Sequence, residues 1–208
     1  MNLKELYTHN YWSQQKLENE VETYRRDKEA VLKLKQHTKE FSQPEVIEVT
    51  PGIHMAIGFA LANSLMLDAP DGLIIVDTTE SMQSAKKIFT EFRKITQKPV
   101  KAIIYTHNHA DHVNGAKAFL VDSADPKSVE IWAHHTLMDI VDFSHGIVGP
   151  ATYIRAMRQF GALLPADHEN SGIGFKLKYD NKAAFTVGMV PPNRFLYKVG
   201  VLLFRCIL

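Results

Sequence analysis

His107-Asn108-His109-Ala110-Asp111-His112 places three imidazoles and a carboxylate within one short stretch. Nitrogen and oxygen donors of this kind hold divalent cations. The stretch follows an apolar run, Val100 to Tyr105, that reads as a β-strand. In extended backbone the side chains alternate faces, so His107 and His109 project to one side and can offer two imidazoles to one ion. A turn after His109 would bring Asp111 and His112 to a neighbouring position, with a carboxylate oxygen and an imidazole nitrogen for a second ion. Two cations about 3.5–4 Å apart that share a water acidify it near neutral pH and hold it for attack on an ester-type centre. The chemistry suggested is metal-assisted hydrolysis, with His107, His109, Asp111 and His112 as metal ligands and Asp111 also as the candidate catalytic carboxylate. The plainer alternative is a set of loop histidines with satisfied hydrogen bonds, and four such donors so close together fit it poorly.

The elements that must position this cluster are legible on either side. From Pro44 onward short β-type runs follow one another: Val46 to Val49, Ile53 to Ile57, Leu61 to Leu67 and Leu73 to Val76. Pro51-Gly52, Gly58 and Asp71-Gly72 separate them as turn signals, which predicts an antiparallel meander. Asp77 closes the last run. It stands either to orient a ligand imidazole from behind or simply to cap the next helix. Thr78 to Ser81 offer an N-cap, and Met82, Ala85, Ile88, Phe89, Phe92 and Ile95 share one helical face up to Lys98-Pro99. After the cluster, a short helix is expected from about Val113 to Leu120 and a strand from Val129 to Ala133. Strand, helix and strand in succession predict α/β layering around a sheet. Further on, 150–164 reads as a helix, Phe175 to Tyr179 and Ala184 to Val187 as strands, and Gly188 to Asn193 as a loop.

His134 and His135 follow the strand ending at Ala133 and could approach the same sheet edge, although surface or capping roles are the ordinary reading. His54, His145 and His168 show no ligand spacing. Lys and Arg number 24 against 23 Asp and Glu, so the net charge of +1 gives no basic face for nucleic acid. Cys206 is the single cysteine, which excludes a disulfide framework and any zinc site built from several thiolates. A metal here must use nitrogen and oxygen. No apolar stretch behind a basic start is visible at Met1 to Tyr7, so cytoplasm is the expected location. The apolar tail from Val199 to Leu208 is interrupted by Arg205 and is shorter than the about 20 residues a membrane helix needs. Residues 11–35 are highly charged, with Glu22/Arg26 and Glu29/Lys33 at i,i+4 spacing, as in a solvated helical arm.

The string His107-Asn108-His109-Ala110-Asp111-His112 resembles the His-x-His-x-Asp-His signature of the metallo-β-lactamase superfamily. Leu61-Ala62-Asn63-Ser64, the run from Gly72 to Thr78 and the run from Lys98 to His107 are similar to its alkyl sulfatase branch. So are Arg155 to Pro165 and Thr186 to Pro192, so that the resemblance extends from about Phe41 to Leu196. It implies an α/β fold, the four-layer αβ/βα sandwich, present here mainly as its N-terminal part. Residues 1–40 would form a charged helical arm, and residues 41–208 the metallo-β-lactamase-like domain, incomplete at its C-terminal end. It also implies two zinc ions, one on His107 and His109 and the other on Asp111 and His112. The implied reaction is hydrolysis of a small-molecule substrate, a sulfate ester of a long-chain primary alcohol. Full-length members carry a dimerisation domain.

Departures from that pattern carry expectations of their own. The family tends to have Tyr-Gly where this chain has Phe160-Gly161, which removes a hydroxyl. Its further acidic and histidine ligands lie beyond the Pro191-Pro192 loop, whereas Tyr197 to Leu208 does not resemble the family's continuation. A truncated or alternative ending is expected, with weak or absent activity, because zinc normally takes three protein ligands and the motif gives each ion two. Two other readings stay open. One is a thioester, lactone or β-lactam hydrolase of the same superfamily, since the cluster fixes the attacking group and not the substrate. The other is a non-catalytic fragment.

Overall fold

The computed structural model describes residues 28–39, 43–159 and 186–198. The chain divides into two compact units, one of residues 1–43 and 142–178, the other of residues 44–141 and 179–208. In the first, α1 (Lys28–Thr38) carries the expected Glu29–Lys33 ion pair at 2.7 Å. Both partners are exposed, so the pair contributes no more than about 0.5 kcal/mol. Glu22 and Arg26 lie outside the described residues.

The second unit is built on a seven-stranded sheet whose spatial order follows the sequence. Its strands are β1 (Glu45–Thr50), β2 (Ile53–Ile57), β3 (Ser64–Ala69), β4 (Gly72–Val76), β5 (Val100–Ile104), β6 (Glu130–His134) and β7 (Arg194–Leu196). From β1 to β4 neighbours pair antiparallel, as the short turns require. From β4 to β7 they pair parallel. The switch comes with α2 (Met82–Ile95), the crossover from β4 to β5. The expected meander and the expected α/β layering are therefore both present.

Helix α2 forms where the sequence marks it. The Ser81 hydroxyl caps it by accepting the Ser84 N–H at 3.2 Å, and Ala85, Ile88, Phe89 and Phe92 are buried along one face. Phe89 meets Phe119 edge-on at 5.3 Å. Leu73, Ile74 and Ile75 are all fully buried, although successive residues of a strand face opposite ways. Both faces of β4 are covered, which fixes the strand end from which Asp77 projects.

Several elements differ from the sequence reading for local reasons. The strand expected from Leu61 starts at Ser64, because the Leu61 N–H bonds the Glu80 side chain and not a neighbouring strand. The helix expected over 113–120 is broken into α3 (Ala110–Val113) and a 3-10 turn (Ala116–Leu120). Between them Gly115 packs so closely on the Thr78 carbonyl and Ala85 that any Cβ there would collide. Thr186 and Val187 form an irregular strap, not a strand, since Thr186 is occupied with α2: Gln83 exchanges two hydrogen bonds with it, and the Met82 N–H bonds its carbonyl at 2.9 Å. The loop expected over 188–193 is present, and β7 follows it unannounced.

Two further helices are α4 (Leu137–His145), unanticipated from the sequence, and α5 (Gly149–Gln159), which covers the start of the helix expected over 150–164. The rest of that helix, the strand Phe175 to Tyr179 and the Phe160-Gly161 pair lie outside the described residues. No helix among those described is long and apolar enough to cross a membrane.

Candidate metal centre

Strands β4 and β5 run parallel with Val76 beside Ile104, so the residues that follow them leave the sheet at one edge. Asp77 and Thr106 meet there. The Asp77 carboxylate accepts the Thr106 N–H at 2.9 Å and its hydroxyl at 2.7 Å, and it stands 2.7 Å from His112 Nδ1. It is the orienting role for Asp77, and not helix capping, that this geometry matches; Ser81 provides the cap.

Hydrogen-bond logic then assigns the imidazole nitrogens. Thr106 Oγ gives its one proton to Asp77, so at 3.0 Å from His107 Nδ1 it can only accept, which places the His107 proton on Nδ1. Nε2 of His107 keeps its lone pair. His112 is held through Nδ1 as well, by Asp77 directly. One carboxylate thus sets two rings, one directly and one through a hydroxyl.

The backbone beside Asp77 is under strain. Asp77 has φ +58° and Thr79 φ +67°. An aspartate tolerates the left-handed region, but a β-branched threonine there costs on the order of 1–3 kcal/mol. Bonds to the opposite loop hold the turn in place. The Thr78 N–H and hydroxyl both reach the His112 carbonyl, at 2.8 and 3.1 Å, and Thr79 accepts the Gly115 N–H at 3.1 Å.

After His109 the chain turns into α3, as the sequence reading requires, with the His112 N–H returning to the His109 carbonyl at 3.0 Å. The turn gathers the predicted residues. The His107 ring lies 4.6 Å from that of His109 and 3.9 Å from that of His112, centroid to centroid. His112 Nε2 is 3.4 Å from the Asp111 carboxylate.

The charges respond to this crowding. Burial works against the His112 imidazolium, but hydrogen bonds to Asp111 and Asp77 outweigh it and raise its pKa to about 9. Burial pushes the Asp111 carboxyl upward, yet the bond and charge of His112 bring it below the usual carboxylate range. His107 is lowered, by burial first and then by its two histidine neighbours. Three imidazoles beside carboxylates repel one another when protonated, and a cation that replaces their protons relieves that repulsion.

The donor chemistry fits a divalent ion with nitrogen and oxygen preference, zinc among them. Among the described residues, no three of His, Cys, Asp and Glu are already arranged to hold one ion. His134 and His135 stand apart from this arrangement. They are exposed, with His134 Nδ1 on the Thr136 hydroxyl at 2.8 Å and His135 stacked on Tyr197 at 4.9 Å. His54 lies within β2, and His168 is outside the described residues.

Sequence reasoning missed the roles of Thr106 and Thr78. Thr106 carried a usable signal, a hydroxyl immediately before the first histidine. That of Thr78 depends on a close approach of loops far apart in the chain.

Residues 57–138 match the model of the metallo-β-lactamase superfamily. Within it the similarity runs to alkylsulfatases. Over 114 residues the chain is 47% identical to the linear primary-alkylsulfatase of Pseudomonas sp. (strain ATCC 19151), covering 52% of this chain and 21% of that protein. A second linear primary-alkylsulfatase from Pseudomonas sp. is 32% identical over 161 residues, covering 74% and 23%. The solved structure of the stereoselective inverting sec-alkylsulfatase from Pseudomonas sp. superposes with a TM-score of 0.68 and 26% identity, over 79% of this chain and 26% of that one. The chain spans about a fifth to a quarter of the length of these relatives.

Proposed function

We propose that the loop from His107 to His112 is a zinc site and that the chain serves hydrolysis of sulfate esters of long-chain primary alcohols. His107 and His109 would hold one ion, Asp111 and His112 the other. The observation that carries this reading is the pair of rings set by Asp77: the His107 ring lies 3.9 Å from that of His112 and 4.6 Å from that of His109, and His112 Nε2 is 3.4 Å from the Asp111 carboxylate. Similarity to linear primary-alkylsulfatases supports the substrate class. Bound zinc supplies Lewis acidity and an acidified water for attack at the ester. The protein's own part is to fix tautomers: Asp77 keeps the Nδ1 atoms of His112 and, through Thr106, His107 turned inward. Asp111 is held as a carboxylate by the bond and charge of His112, the form in which it would serve as a ligand.

The test is zinc loading followed by elemental analysis and turnover of dodecyl sulfate, with thioesters and lactams alongside. Zinc retained by the chain, with sulfate released and release lost on chelation, is the expected result. Hydrolysis of thioesters or lactams alone would sink the sulfatase assignment, and a chain that takes up no transition metal would sink the site. One observation favours a second reading, a non-catalytic polypeptide with the same fold: the described residues arrange no three donors around one ion. Zinc that is substoichiometric and readily stripped supports that reading.

A further inference from the structure

The loop that carries the ligands leaves β5 at Tyr105 and ends at Asn114, and both of these residues are bonded to one short stretch of the strap that begins at Thr186. At the entrance, the Tyr105 hydroxyl donates to the Val190 carbonyl at 2.9 Å. At the exit, the Asn114 carbonyl accepts the Gly188 N–H at 2.6 Å. The Gly188 carbonyl then accepts the Lys117 N–H at 2.8 Å, so the exit is held by two bonds. All of these residues belong to the second unit.

The strap is itself fixed on both sides of these contacts. Before them, Thr186 is held by the Met82 N–H and by Gln83 at the start of α2. After them, Asn193 exchanges backbone and side-chain bonds with Val129 and Ile131 at 2.8–3.0 Å. Gly188 is buried so closely on Met82 and Lys117 that a Cβ would collide, which reserves the position for glycine. To cover the core edge, the strap needs only Met189 and Val190, which pack against it. The bonds to Tyr105 and Asn114 add something that packing does not, a set distance between the two ends of the ligand loop. Tyr105 is 3% exposed, and a phenylalanine would fill the same space without a hydroxyl to satisfy.

We propose that the strap from Gly188 to Val190 braces the metal-ligand loop by tying its ends together, with the Tyr105 hydroxyl as a positioning residue that acts through Val190. A loop with loose ends gives up more conformational freedom when its side chains converge on a cation, and the brace removes part of that cost in advance. This rests on the proposed site binding zinc at all, and the experiment separates the two claims. Equilibrium dialysis against zinc near neutral pH compares the unaltered chain with Tyr105→Phe, Gly188→Ala and Leu73→Val. The first loosens the entrance of the loop and the second its exit. Leu73 is fully buried near the end of β4 opposite to Asp77, so its truncation lowers stability without touching loop or strap.

Tyr105→Phe should weaken zinc binding about fivefold, less than the loss of a group that bonds a ligand directly, and Leu73→Val should stay within about twofold of the parent. The visible spectrum of cobalt bound in place of zinc should change in Tyr105→Phe, because the donors meet the ion in altered geometry, and keep its shape in Leu73→Val. A loss of less than about threefold in Tyr105→Phe overturns the proposal, and so does an unchanged cobalt spectrum. An equal loss in Leu73→Val overturns it too, since affinity would then follow stability alone. Failure of the unaltered chain to bind zinc would overturn the site itself, and this inference with it. If Tyr105→Phe does not fold, as judged by circular dichroism, Gly188→Ala takes its place under the same criteria.

Discussion

Two histidine groups follow parallel strands of this sheet and leave it at the same edge, and they are supported in opposite ways. His107, His109 and His112 follow β5, where the His107 ring lies 3.9–4.6 Å from the other two beside a buried carboxylate and a strained turn. His134 and His135 follow β6, with rings 4.4 Å apart, and one is bonded to Thr136 while the other is stacked on Tyr197. By residue type and ring spacing the pairs look alike. The difference lies behind them: Asp77 is 8% exposed in its side chain and fixes two rings of the first group, while the second has local partners at the surface. Spacing brings imidazoles together, and the support behind them decides which nitrogen is free for a cation.

The widest way to break the comparison is to remove the rings of each group in turn. His107→Ala with His109→Ala should abolish uptake of the ion those two rings hold and any hydrolysis, whereas His134→Ala with His135→Ala should leave zinc uptake within about twofold of the parent, since no ligand is lost. Dialysis followed by elemental analysis reads both. Equal losses in the two double variants would mean that the edge as a whole, and not the supported loop, holds the metal.

A smaller effect is expected from the support alone. Asp77→Asn keeps every proposed ligand but can satisfy Thr106 and His112 only in part, so zinc affinity should fall by about 10–100-fold. Competition with a chromophoric chelator measures it. Thr106→Val should fall between this variant and the parent, because it releases His107 and leaves His112 bonded to Asp77.

The metal-free protein offers a third comparison, with pH as the probe. The His112 pKa is raised from 6.5 to about 9 by bonds to Asp111 and Asp77 that exceed the opposing effect of burial. A folded-state pKa above the unfolded one means that the folded chain holds the proton more tightly. The stabilisation is therefore complete below about pH 6.5 and is lost as the pH rises through 9. Its size is on the order of 2 kcal/mol. Thermal melts with chelator present should show a Tm that falls across this window. In His112→Gln the fall should be much reduced, and an unaltered fall would remove His112 as its source.

How much of this was legible depended on how local each feature is. The four donors, the meander from β1 to β4 and the amphipathic face of α2 are written in spacing alone, and each appears in the structure. The break at Gly115 was not legible, because it comes from contact with Thr78 across 37 positions of sequence and a glycine alone does not reveal what approaches it. The late start of β3 has the same origin, in a side chain 19 residues downstream that claims the Leu61 N–H. For Asp77 the sequence left two roles open. The parallel register that sets Val76 beside Ile104 decides between them by bringing Thr106 within reach.

Ser81→Ala gives the smallest effect and sharpens the comparison at its margin. The Ser81 hydroxyl caps α2 through the Ser84 N–H at 3.2 Å and touches the Ser84 hydroxyl at 2.7 Å. Its loss should cost about 1 kcal/mol of stability, as caps of this kind do. The cap secures the far end of the turn that begins at Asp77, whereas the bonds that set the rings all arise at Asp77, Thr78 and Thr106. Urea unfolding should therefore show a lower midpoint with an unchanged slope, while zinc affinity stays within about twofold of the parent. A parallel loss of zinc affinity would show that the ligand loop is supported by the whole turn and the start of α2, so that its contrast with His134 and His135 would rest on the rigidity of a region and not on one carboxylate.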